Sequence, residues 1–172
     1  MFDLSTIMVG LVLIAFILIA LFLFLFFKKS TYPYEKQNHI FTRAEQVFLK
    51  SLDHAMKGSG YRVFGKLRIA DVLRVSVKQD KKKFWYWFTK ISSKHFDYVL
   101  VNEKTYEPII AIELDDASHQ RKDRQDRDIF VNKACHDAGF PLLRIPLAKR
   151  YDSSEILSLI NQKINEYKEL NQ

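Results

Sequence analysis

From Ile7 to Phe27 the chain is apolar without interruption: IMVGLVLIAFILIALFLFLFF, 21 residues with no charge and no polar side chain. A helix of that length crosses a hydrocarbon core of about 30 Å, so a single transmembrane anchor is expected over residues 1–29. A cleaved signal peptide would show a basic start and an apolar core of roughly 7 to 15 residues. Here Asp3 precedes the run and phenylalanines close it. Lys28 and Lys29 follow directly, and no Lys or Arg comes before. The positive-inside tendency then sets the amino terminus outside and the remainder in the cytoplasm, as a single-pass protein of the inner (cytoplasmic) membrane.

The pattern changes after the anchor. Residues 30–39, STYPYEKQNH, have no periodicity and carry Pro33, which reads as a linker. A domain over 40–172 follows. Thr42 to Glu45 form an S/T-x-x-E capping box with Phe41 just before it, and Val47, Phe48, Leu49, Leu52 and Met56 recur at helical spacing. That predicts a helix from Thr42 to about Lys57, stopped by Gly58 and Gly60. Tyr61 to Gly65 alternates as a strand. Ile69 to Val77 is a short helix or an irregular connection.

Further on, Phe96 to Val101 and Pro108 to Leu114 are β-branched and aromatic runs separated by the polar turn Asn102 to Glu107, the signature of a hairpin. Gln120 to Ala138 is polar, then apolar at helical spacing, and Gly139 and Pro141 stop it. Pro141 to Ile145 makes a strand and Ser153 to Leu170 a last amphipathic helix. A hairpin joined to a further strand through a helix implies an α/β domain, a mixed sheet with helices on its faces.

With the turn centred on Thr105, Asn102 faces Pro108, Val99 faces Ala111, and Asp97 faces Glu113 on one side of the sheet. Directly opposed like charges destabilise a strand pair. A divalent cation such as Mg2+, which takes carboxylate oxygens, would compensate; a register shifted by one would instead send one acid to solvent. Asp115 alternates to the same side as Glu113, so three acids can converge at the sheet rim. Asp115 and Asp116 serve equally well as caps of the next helix. A cation so held would polarise a phosphoryl oxygen and generate hydroxide from bound water, which phosphodiester hydrolysis requires. His119 has the pKa range to shuttle the proton, or is a hydrogen-bonded surface residue.

Composition narrows the partners. A net charge of +7 suits a polyanion, nucleic acid or the anionic inner leaflet alike. One cysteine, Cys135, agrees with a reducing compartment and leaves no internal disulfide or cysteine zinc cluster. Between Lys78 and Phe96, lysines interleave with Phe84, Trp85, Tyr86, Trp87 and Phe88. Such a stretch can stack bases and neutralise phosphates. It is equally a helix packing Phe84, Trp87, Phe88 and Ile91 behind a solvated lysine edge, or an interfacial aromatic belt at a membrane. Arg121, Arg124 and Arg127, with Lys94, are candidate phosphate contacts, although the arginines interleave with Asp123, Asp126 and Asp128 as on a salt-laced helix face. Arg144, among leucines in a strand, calls for an acid partner or an exposed face.

Asp97 on one strand, Glu113 on the next, the run ELDDxSH, a helix beginning RKDRQDRD and then GxPLLRIP resemble the PD-(D/E)XK nuclease superfamily. More closely, they look like an uncharacterised bacterial domain family near the very-short-patch repair endonucleases, over roughly Ile40 to Asp152. The resemblance implies a restriction-endonuclease-like fold, with catalytic magnesium on Asp97 and Glu113 and Glu45 as a further site acid. Glu45 also completes the capping box and needs no other reason to be there. Two departures stand out: Asp115 occupies the position of the superfamily's E-x-K lysine, and no proline precedes Asp97. The lysine's role then falls to His119, Lys94 or Lys122, or the fold binds without cutting.

The expectation is a membrane-anchored, magnesium-dependent endonuclease acting on nucleic acid, DNA before RNA. The alternatives are a non-catalytic nuclease-fold module and a scaffold lying on anionic lipid.

Overall fold

The computed structural model describes residues 3–26, 32–77, 79–115 and 122–170, without the side chains of residues 26, 122–124 and 170. The chain divides into two compact units, Met1–Asn38 and His39–Gln172. In the first, α1 (Leu4–Phe26) is long and apolar enough to cross a membrane.

The second unit runs α2 (Arg43–Ala55), β1 (Tyr61–Gly65), α3 (Ile69–Val72), α4 (Lys81–Ser92), β2 (Tyr98–Asn102), β3 (Pro108–Asp115), α5 (Lys122–Asp137), β4 (Leu142–Pro146), α6 (Ser153–Leu170). The sheet order is β1-β2-β3-β4, with β1, β2 and β3 antiparallel in turn and β4 parallel to β3 across the α5 connection. The mixed sheet and the element order are those the hydrophobic pattern predicts.

Alternation along the strands divides the core in two. Tyr98, Leu100, Ile110, Ile112 and Ile145 pack with Phe48 and Leu52 of α2 and Ile156, Ile160 and Ile164 of α6. The opposite parity, Val99, Val101 and Ala111, packs with Ile69, Ile91, Phe96 and with Val131 and Cys135 of α5. Glu113 has that second parity, so its side chain is on the α5 face. Burial pushes the Cys135 thiol up to about 12, an unreactive core residue.

Several boundaries shift from the sequence expectation. The Ile69–Val77 stretch is helical only to Val72. On α4, Ile91 is buried and Phe84 and Phe88 are half-buried, but Trp87 is 46% exposed and does not join the packed stripe. The hairpin register matches at Val99↔Ala111, while Pro108 pairs with Val101 rather than Asn102. The reason lies in the turn. Asn102 Oδ1 accepts the N–H groups of Lys104 and Thr105, and Tyr106 adopts a left-handed φ of 59°. Its closing pair is Asn102 with Glu107, and the ladder absorbs the difference as an irregularity between Leu100 and Val101. Phe96 and Asp97 lie outside β2, because Asp97 Oδ2, a side-chain atom, takes the Leu114 N–H at 3.0 Å.

Candidate functional site

The site starts at the first turn of α2. Thr42 caps the helix, its hydroxyl accepting the Glu45 N–H at 3.3 Å while Glu45 Oε2 accepts the Thr42 N–H at 2.8 Å. This is the capping box expected from the sequence. The other carboxylate oxygen of Glu45 does something the box does not need: Oε1 accepts from Lys66 Nζ at 2.8 Å. The same ammonium donates to Asp97 Oδ1 at 2.8 Å. Lys66 thus bridges acids that stand 21 and 31 residues away in sequence.

Local geometry explains how. Phe41, just before the cap, stacks on Tyr98 with ring centroids 5.6 Å apart, and a Cβ at Gly65 would overlap its ring. Glycine lets the ring lie over the end of β1. Lys66 then turns with φ 54°, a left-handed conformation unusual outside glycine, while its N–H still bonds Asp97 O at 3.0 Å. Strain of about 1 kcal/mol or more at such a position persists only where surroundings impose it. Burial works against the Lys66 ammonium, but its bonds to Asp97 and Glu45 outweigh that and raise its pKa above the ordinary lysine value.

Glu113 is 4% exposed, and its Oε1 has no hydrogen-bond partner among the described residues. Oε2 lies 3.7 Å from Arg127 Nη2. Burial, then the negative charge of Asp97, pushes the Glu113 carboxyl up to about 7, with Arg127 and Arg144 pulling the other way. Asp97 and Glu113 are electrostatically coupled neighbours. The compensation that facing acids demand is provided here by Lys66 on one and Arg127 beside the other.

A cleft of about 660 Å³ opens on this group, lined by Glu45, Lys66, Ser93, Lys94, His95, Asp97 and Arg127. Lys94 is therefore in the cleft wall, its Nζ donating to Lys90 O at 2.7 Å and standing 5.3 Å over the Phe130 ring. Asp115 is engaged elsewhere, accepting from Arg144 Nη1 at 2.6 Å. Arg144 also meets Asp128 at 3.4 Å and Asn132 at 2.9 Å, so the strand arginine finds the acid partners its burial requires. Among the described residues, no group of three or more His, Cys, Asp or Glu is arranged to hold a metal ion. His119, Arg121, Asp116 and Ser118, and the side chains of Lys122 and Arg124, lie outside the described residues.

The family model described as "Protein of unknown function (DUF2726)" matches residues 37–164. The chain belongs to the DUF2726 family. No curated protein and no solved structure matches it. The match to DUF2726 spans the capping box, Lys66, the hairpin, α5 and β4, so every residue of the cleft lies inside the family region.

One residue of this DUF2726 site, Lys66, escaped the sequence reading, and the place of another, Arg127, was not fixed by it. Lys66 becomes visible only when β1 pairs with β2, the one local hint being a glycine followed by lysine at a strand end. Arg127 was one of several arginines alternating with acids; its position toward Glu113 depends on how α5 packs.

Proposed function

We propose that the DUF2726 domain is a restriction-endonuclease-like, metal-assisted nuclease that hydrolyses phosphodiester bonds. By the same proposal, α1 holds it to the cytoplasmic membrane, with the sequence that follows Lys28 and Lys29 on the cytoplasmic side. The observation that carries the reading is the grouping of Glu45, Lys66 and Asp97 at one cleft, beside a buried Glu113 whose Oε1 has no hydrogen-bond partner among the described residues. Buried carboxylate oxygens are rarely left without a donor. This one suits a hard cation.

The residues fit magnesium in their chemistry: Glu113 Oε1 accepts no hydrogen bond from the described residues, and each Asp97 oxygen keeps a lone pair beyond the one used by Lys66 or Leu114. Bound magnesium would supply an activated water and Lewis acidity toward the phosphoryl oxygen. Asp97 and Glu113 would hold it, Glu113 as its carboxylate. Because burial, and then the charge of Asp97, push Glu113 to about 7, ligation and proton release would go together. Lys66, in the role left open by Asp115, orients the carboxylates and stabilises the charge that grows on the phosphoryl oxygens as a water oxygen bonds to phosphorus; the P–O bond to the leaving group then breaks and the leaving oxygen takes a proton from solvent. Arg127 and Lys94 meet the flanking phosphates at the cleft wall.

The test is incubation of the full chain, in mild detergent, with DNA and with RNA in magnesium. Cleavage by the wild type that is lost in Asp97→Ala and in Glu113→Ala, and reduced in Lys66→Met, supports the reading. Absence of cleavage on every substrate sinks it. A second reading, a nuclease fold that binds without cutting, draws on the 2.8 Å contacts by which Lys66 occupies the space between Glu45 and Asp97. Saturable nucleic-acid binding without hydrolysis would favour it.

A further inference from the structure

Among the helices of the second unit, α4 is built unlike the rest. Its sequence, KKKFWYWFTKIS, contains no acid. Its inner face is Phe84, Phe88 and Ile91, leaving Trp85 58%, Tyr86 55% and Trp87 46% exposed. Large aromatics standing in water on a basic helix need a reason, because a folded surface ordinarily covers them.

Residues four apart are neighbours along a helix. Lys82, Tyr86 and Lys90 therefore form one ridge, and Lys94 continues it past the helix end, its Nζ bonded to Lys90 O. Lys90 Nζ stands 5.3 Å from the Tyr86 ring centre, so cation and ring already form a unit. Trp85 flanks the ridge, propped by T-shaped contacts with Phe84 at 5.5 Å and Phe88 at 5.6 Å. A side chain braced in this way loses little freedom when something stacks on it. The ridge ends where the cleft begins, since Ser93, Lys94 and His95 are in the cleft wall.

We propose that this ridge is a docking track for single-stranded nucleic acid leading into the cleft. Lysines alternating with exposed rings match a polyanion whose bases are unstacked, and a basic, acid-free helix gives the charge complement. A duplex offers phosphates but hides its base faces inside the stack, so the rings select the single strand. The inference rests on the nuclease reading for what happens at the cleft end, but binding along α4 is measurable without cleavage.

Trp85 and Trp87 are the chain's only two tryptophans, so intrinsic emission reports on this helix alone. The experiment titrates full-length Glu113→Gln protein, in non-ionic detergent, with oligothymidylate and with a fully paired duplex of the same length. The expected result is saturable quenching by the single strand, with at least tenfold weaker response to the duplex. Tyr86→Ala should weaken binding about tenfold or more. Lys82→Ala and Lys90→Ala should each lower the log–log salt slope by about 0.7. Equal response to duplex and single strand, or affinity and salt slope unchanged in all three variants, overturns the proposal. So does an emission shift produced by phosphatidylglycerol in nanodiscs holding the full chain but not by the oligonucleotide, which would assign α4 to the membrane surface. Quenching as expected, with no cleavage by wild type on any substrate, defeats only the hydrolytic reading. Cleavage without quenching defeats only this one.

Discussion

Substituting Glu113 by glutamine removes the charge of the site's most buried acid while preserving its shape. The folded-state pKa of about 7 compares with an ordinary 4.5, raised mainly by burial and then by Asp97. Between those values the folded domain keeps a proton that the unfolded chain has released. Stability is therefore fully present below about pH 4.5 and falls as pH rises through about 7. At about 1.4 kcal/mol per pH unit, the loss is on the order of 3 kcal/mol. Glutamine is neutral throughout and has no such slope. The assay is urea unfolding of the full chain in non-ionic detergent and EDTA from about pH 5 to about pH 8, followed by the emission of Trp85 and Trp87. Slopes are compared rather than absolute values, because glutamine replaces a carboxylate oxygen by an amide group that donates instead of accepting. The difference in stability between Glu113→Gln and wild type should move toward the mutant by about 2 to 3 kcal/mol across this range. Parallel profiles would refute the buried, charge-coupled carboxyl. Added magnesium should then raise wild-type stability at alkaline pH by mass action, with a smaller effect on the mutant.

Three further outcomes follow from the same geometry. Lys66→Met leaves Glu45 and Asp97, both mostly buried, without their shared donor; a loss of about 1 to 3 kcal/mol is expected in urea titrations at neutral pH. Gly65→Ala sets a methyl into the Phe41 ring and should cost about 1 to 3 kcal/mol in thermal or urea unfolding, whereas an unchanged midpoint would mean that the ring moves aside freely. Cys135, 1% exposed and with its thiol pushed up to about 12, should resist a disulfide reagent in the native protein and react only at the rate of unfolding.

What the sequence discloses here depends on the range over which each cause acts. The start of α2 is legible because its box spans Thr42 to Glu45, and the alternation of β2 and β3 is legible because it repeats every second residue. The Val99↔Ala111 pairing follows from the turn length alone, but the irregularity beside Leu100 comes from Asn102 and Tyr106, whose turn chemistry composition only hints at. Lys66 was hidden because its function depends on partners in α2 and before β2, and on a backbone turn that no local propensity favours. Asp115 illustrates the opposite failure. Alternation gives its side of the sheet correctly, yet Arg144 on the neighbouring parallel strand claims it. Trp87 was grouped with the packed stripe by spacing, and only the sparse packing around α4 leaves it in water.

Glu45 has one oxygen on the backbone of Thr42 and the other on Lys66. The carboxylate is thus an interlock: fraying of the first turn of α2 would release the ammonium, and pulling the ammonium away would loosen the turn. Ordering of the helix start and ordering of the cleft are one event, so half-folded forms of this domain would lack both.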